Sequence, residues 1–174
     1  ILLLLASYFF YGFWKIEYLG LIVFSTIVDF FISQFLEKNT DEQKRKIALG
    51  ISLTTNLGLL FFFKYFNWFL DDVASPTGLI PENVLNYWHV HFQFLLPVGI
   101  SFYTFQTLGY TIDVYYRKTK PEQNIFKFAL FVSYFPQLVA GPIERFSNLQ
   151  SQLFAQHKLT YETLQHGGRF ILYG

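Results

Sequence analysis

The stretch Tyr18-Leu-Gly-Leu-Ile-Val-Phe-Ser-Thr-Ile-Val-Asp-Phe-Phe-Ile-Ser-Gln-Phe-Leu36 carries a single charged residue, Asp29. The hydrocarbon core of a bilayer needs about 20 helical residues, so this run is long enough to span it. Ser25, Asp29 and Ser33 stand at four-residue steps, which puts them on one helical face. Lipid tails cannot satisfy such groups, and an ionised side chain near mid-bilayer costs roughly 3 kcal/mol or more. The face must meet other protein or a wet cavity.

Working outward from this run, the apolar pattern recurs. Residues 1–13 read as the end of a span, 18–36 and 47–70 as full spans, and 95–116 as another, with Pro97 at a first-turn position. Residues 125–140 are shorter and hold Pro136 near their end, which fits a short or re-entrant helix. A further span is expected to start at about Phe170. The fold class is therefore all-α, a polytopic helical membrane protein, and residues 1–174 form one continuous membrane domain.

Composition agrees. Of 174 residues, 52% are hydrophobic, 22% aromatic and 14% charged, whereas a soluble domain carries about a quarter charged residues. With no Cys, disulfides, Cys-ligated metals and thiol catalysis are excluded. The absence of Met and the start inside an apolar run lead us to expect that the natural N-terminus lies upstream. The charged leader of a cleavable signal peptide is not readable.

The loops set an orientation. Glu37 to Lys46 carries Lys38, Lys44, Arg45 and Lys46; Asp71 to Gln93 has no Lys or Arg but has Asp71, Asp72 and Glu82; Arg117 to Lys127 carries Arg117, Lys118, Lys120 and Lys127. By the positive-inside rule the first and third are cytoplasmic and the second extracytoplasmic, with Trp68, Tyr87 and Trp88 at the outer interface.

Within 95–116, Tyr103, Gln106, Tyr110, Asp113 and Arg117 follow helical three-and-four spacing. This stripe is either a cavity wall or helix–helix glue, with Asp113 and Arg117 as a four-apart ion pair. Ser52 and Asn56, also four apart, read as packing contacts. His89 and His91 lie two apart in the outer loop, with no third ligand near for a metal; His157 and His166 fall in a polar stretch. None of the four lies inside a span. No nucleophile elbow, phosphate loop or zinc-protease motif occurs, so no catalytic residue and no metal site is assigned in this segment.

Two stretches are more specific. One is Leu96-Pro-Val-Gly-Ile-Ser-Phe-Tyr-Thr-Phe-Gln-Thr-Leu-Gly-Tyr-Thr-Ile-Asp-Val-Tyr115. The other is Phe128-Ala-Leu-Phe-Val-Ser-Tyr-Phe-Pro-Gln-Leu-Val-Ala-Gly-Pro-Ile-Glu-Arg145, and Phe63-Lys-Tyr-Phe-Asn67 adds to them. They resemble the membrane-bound O-acyltransferase family, in the bacterial branch that modifies alginate and related polymers. The resemblance covers essentially the whole chain and matches the family's N-terminal half.

The resemblance implies a multi-spanning enzyme of the bacterial cytoplasmic membrane that moves an acyl group, acetyl by expectation, to hydroxyls of a cell-surface or secreted polysaccharide. It implies an acyl-thioester donor on the cytoplasmic side, an acyl carrier protein or coenzyme A, and a polysaccharide acceptor or an extracytoplasmic acetyltransferase partner. It also implies a catalytic histidine beyond this segment, so that the segment alone is inactive. No tightly bound cofactor and no nucleic acid is expected. The candidate motif and cavity residues are Asp29, Gln106, Asp113, Pro136, Gln137, Gly141, Pro142 and Arg145. Arg145 could hold an anionic donor group or simply snorkel at the interface. A transporter or channel module and a non-catalytic scaffold are the alternative readings.

Overall fold

The computed structural model describes residues 1–78, 80–81, 83–84, 86, 97–155 and 160–173, and every regular element among them is helical. The α-helices of six or more described residues are α1 (Leu2–Trp14), α2 (Ile16–Lys38), α3 (Glu42–Trp68), α4 (Ile100–Tyr115), α5 (Ile125–Ser133), α6 (Phe135–Ala140), α7 (Phe146–Leu153) and α8 (Tyr161–Tyr173). His89, His91, His157, Glu82, Tyr87, Trp88 and the start of the 95–116 run at Leu95 and Leu96 lie outside the described residues.

Local signals explain the helix ends. Asp41 caps α3, its carboxylate accepting from the Gln43 and Lys44 amides at 2.9 and 3.4 Å; Asn124 caps α5 in the same way. Each satisfies amides that the first helical turn leaves without partners. Past Trp68 the path continues through a wider π-helical turn, Phe69–Ala74. α2 and α3 are long and apolar enough to cross a membrane.

α2, α3 and α4 pack against one another, and α1 and α5 lean on α2. The polarity is turned inside out. Ser25, Asp29, Ser33, Ser52, Asn56, Thr107 and Thr111 are buried at 0–1% exposure, while Phe24, Ile27, Phe31 and Phe35 of α2 stand 41–61% exposed. Both basic loops sit at one end of this bundle. Gln34, near the end of α2, donates to the Glu122 carbonyl at 2.7 Å. The buried Arg45 donates to the Tyr115 carbonyl, and its guanidinium lies 5.4 Å from the Tyr115 ring centre. A cation there complements the negative end of the α4 dipole.

Several boundaries differ from those read in the sequence. α4 begins at Ile100, not near Leu95, because Gly99 adopts a left-handed φ of 75°. Pro97 therefore stands outside the helix, and its carbonyl accepts from the Ile100 amide at 3.3 Å. The 125–140 run is two helices, broken at Tyr134 (φ −57°, ψ 106°). Pro136 is the reason. Inside a continuous helix it would lack an amide for the Val132 carbonyl and crowd it; at the start of α6 it does neither. Phe170 lies within a helix that already starts at Tyr161, and the described residues of α8 are all exposed.

α5, α6 and α7 form a hairpin that doubles back. α5 starts beside Glu122; Leu138 of α6 reaches Gly99, at the far end of α4. α7 then returns, with Gln150 donating to the Glu122 carboxylate at 3.2 Å and Phe146 packing 5.0 Å from Tyr110.

Candidate functional site

Asp29 stands at the meeting point of α2, α3 and α4 and is fully buried. Its Oδ1 accepts from Ser52 Oγ at 2.5 Å and Thr111 Oγ1 at 3.4 Å, and its Oδ2 from Asn56 Nδ2 at 2.8 Å. Asn56 Oδ1 in turn accepts from Ser25 Oγ at 2.6 Å. Three helices thus share one carboxylate. A buried polar group without a partner is costly, and here each has one.

Toward the end with the basic loops the polar seam continues. Tyr110 donates to Ser33 Oγ at 3.4 Å and accepts from the Glu122 amide at 2.9 Å. Glu122 gathers the region: its side chain accepts from the Asn124 amide at 2.9 Å as well as from Gln150. Backbone and side chain together tie α2, α4, α5 and α7 to one residue.

Beside this knot lies a groove of about 340 Å³, walled by Gln106, Gly109, Tyr110 and Asp113 of α4, by Lys118, and by Glu144 and Arg145 at the foot of the hairpin. Gln106 is fixed by donating to the Phe131 carbonyl at 3.0 Å. Among the described residues none of Asp113, Lys118, Glu144 and Arg145 forms an ion pair. Arg145 and Lys118 are exposed, and Asp113 and Glu144 half-buried. The groove thus offers two cationic donors next to two carboxylates, a surface able to hold an anion at one lip and a polar group at the other.

The hairpin turn is sterically specified. A Cβ on Gly141 would lie 2.5 Å from Gln137 Cα, and one on Gly99 would collide with the Leu138 carbonyl. Both glycines allow a backbone approach that no side chain would tolerate. Among the described residues, Gln137 Oε1 in α6, the Tyr103 hydroxyl and the Tyr11 hydroxyl on α1 are buried without hydrogen-bond partners.

Over 158 residues the chain is 38% identical to the probable alginate O-acetylase of Azotobacter vinelandii, covering 87% of this chain and 30% of that protein. Over 177 aligned positions it is 34% identical to the probable alginate O-acetylase of Pseudomonas syringae pv. tomato, covering 100% and 33%. The peptidoglycan O-acetyltransferase of Helicobacter pylori matches at 33% identity over 86% of the chain and 32% of its own length. The chain belongs to the membrane-bound O-acyltransferase family. The chain spans about a third of the length of the curated relatives it matches. No family model and no solved structure matches it.

Within this member of the family, the residues singled out in the sequence divide into three places. Asp29 lies in the three-helix junction. Gln106, Asp113 and Arg145 share the groove, with Glu144 and Lys118 as neighbours that sequence spacing did not reveal. Pro136, Gln137, Gly141 and Pro142 form α6 and the hairpin turn, with Pro136 and Pro142 exposed.

The four-apart pairing of Asp113 with Arg117 does not form. α4 ends at Tyr115, and Arg117 takes φ 57°. The Arg117 amide donates to the Val114 carbonyl at 3.0 Å and the Lys118 amide to the Asp113 carbonyl at 2.8 Å. This Schellman closure turns the chain off the helix before a fourth residue can align. Thr107 and Thr111, which close the Asp29 site, were missed because they lie one step off the Tyr103–Asp113 stripe; their own four-residue spacing was the available signal.

Proposed function

We propose that this segment is part of a multi-pass membrane enzyme that transfers an acyl group from a cytoplasmic thioester donor to hydroxyls of an extracytoplasmic polysaccharide. The observation that carries the reading is the match, over 86–100% of the chain, to proteins named as O-acetylases or O-acetyltransferases of two different polymers, alginate and peptidoglycan. The inside-out polarity supports the membrane half of it. An exposed Phe face on α2 around a buried Asp29 is the arrangement that lipid outside and helix partners inside would favour. The family's catalytic base lies outside this segment in this reading, and the segment contributes the donor side of the site. Transfer requires the attacking hydroxyl to lose its proton and the tetrahedral intermediate to be stabilised. Arg145 and Lys118, at the lip of the groove, would hold the phosphate-bearing arm of the donor.

Deleting the gene for the full-length protein should remove the alkali-labile O-acyl esters from the cell's exported polysaccharide, and restoring the gene should bring them back. In that background His166→Ala should retain most of the esters; its side chain is exposed on α8. Ester content unchanged on deletion would defeat the reading.

Orientation has its own test. Both basic loops lie at one end of the bundle, and we place that end in the cytoplasm of a bacterial cell. A reporter active only in the cytoplasm should be active when fused after Lys44 and silent after Ser75. The reverse pattern would put the groove on the outer side, out of reach of a cytoplasmic donor.

A further inference from the structure

At the end of the bundle that carries the basic loops, α2 and α3 leave an open groove of about 390 Å³ between them. Phe31 and Phe35 of α2 line it opposite Ile47 and Ile51 of α3, and these four stand 42–61% exposed. The small, buried Ala48 lies among them. One charged side chain reaches the groove, that of Lys44. Its Nζ lies 3.8 Å from Asp41 Oδ2, and both side chains are at least half exposed. That gap is wider than a hydrogen bond, so each group can still take a partner of its own. The neighbouring cations are committed elsewhere: Lys46 to Glu42 at 3.0 Å, and the buried Arg45 to the Tyr115 carbonyl.

We propose that this groove binds one phospholipid with a zwitterionic head: an acyl chain lies between α2 and α3, the phosphate meets Lys44 and a headgroup ammonium meets Asp41. The groove follows α3 from Lys44 to Ile51, about 10 Å at 1.5 Å per residue. Its mean section is then about 40 Å², half that of a helix about 10 Å across, so a hydrocarbon chain fits where a helix does not. Polarity runs the same way. Charge stands at the end of the bundle, where headgroups lie, and the side chains further along the groove are apolar. The adjacent cation and anion choose the head. A phosphate with an ammonium complements both, whereas a purely anionic head leaves Asp41 facing a like charge. The inference rests on the membrane placement proposed above and not on acyl transfer.

The test is photocross-linking of the full-length protein in vesicles of equal parts phosphatidylethanolamine and phosphatidylglycerol with the same acyl chains. Benzoylphenylalanine replaces Phe35 or, as a control on the same exposed stripe of α2 but outside the groove, Phe24. Mass spectrometry identifies the adducts. The Phe35 probe should give phospholipid adducts enriched about threefold in the ethanolamine lipid, the scale of one exposed charge pair, and the Phe24 probe adducts in the bulk ratio. Lys44→Gln should abolish the enrichment and Lys46→Gln should preserve it. Asp41→Asn, which keeps a helix-capping side chain, should turn the preference toward the glycerol lipid. Phe35 adducts in the bulk ratio, enriched in the glycerol lipid, or made to another part of the chain, a second copy or another protein would overturn the proposal. So would no adduct at Phe35, equal enrichment at Phe24, or a preference indifferent to Lys44→Gln or Asp41→Asn. Lipid adducts missing at both positions would overturn the membrane placement as well, whereas bulk-ratio adducts at both would leave it standing.

Discussion

Asp29→Ala in the full-length protein should sharply lower its accumulation in membranes and its melting temperature. The substitution strips the acceptor from the Ser52 hydroxyl and from one Asn56 amide hydrogen and opens a void among three helices. A buried donor left unsatisfied costs about 1–3 kcal/mol, so two such donors and the void together bring the loss to about 3 kcal/mol or more. Ser52→Ala should cost less, about 1 kcal/mol, since Asn56 and Thr111 still hold the carboxylate. Asp29→Asn should fall between: it keeps the volume and an acceptor for Ser52 but sets one amide against another at Asn56. Protein level and thermal unfolding of the three variants give the order. An Asp29→Ala protein that accumulates and melts like the parent yet transfers no acyl group would make the residue chemical rather than architectural.

Arg145→Gln should leave accumulation unchanged and slow acyl transfer by about thirtyfold, chiefly through a higher KM for the donor. Arg145 is exposed, and among the described residues its side chain makes no capping hydrogen bond and no ion pair, so the fold loses little with it. A hydrogen bond to a charged group contributes about 1.5–3 kcal/mol, and 1.4 kcal/mol is a factor of ten in rate. Arg117→Gln is the matched comparison; it lies off the groove and should do almost nothing. Equal effects from the two would mean that the loop's positive charge matters and the groove does not.

The Asp29 site was partly legible because it rests on side chains with a period. Ser25, Asp29 and Ser33 at four-residue steps announce a polar face, and Ser52 with Asn56 announces the face that meets it. What spacing cannot tell is which faces meet, and so Thr107 and Thr111 entered only with the packing of α4. Glu122 was invisible for a different reason. Its amide and carbonyl make two of its contacts, and every residue has those groups. Helix ends failed where the backbone overrode the residue type. Arg117 adopts a left-handed conformation usually given to glycine, which removed a pairing that the spacing had favoured. The break at Tyr134 comes two residues before the proline that causes it, so the 125–140 run read as one element.

The hairpin also fixes a matter of counting. Its two feet rest on the same residue, Glu122, so in the membrane reading it contributes no net crossing. The chain that leaves α7 is on the side where α5 began. On the proposed orientation any later span would then start from the cytoplasm, and Arg145 falls on that side beside Lys118, as the charge rule favours. Had 125–140 been a full crossing, every later segment would be inverted. Topology maps of longer relatives should therefore treat this segment as zero, and a map that counts it as one will carry the wrong parity from there on.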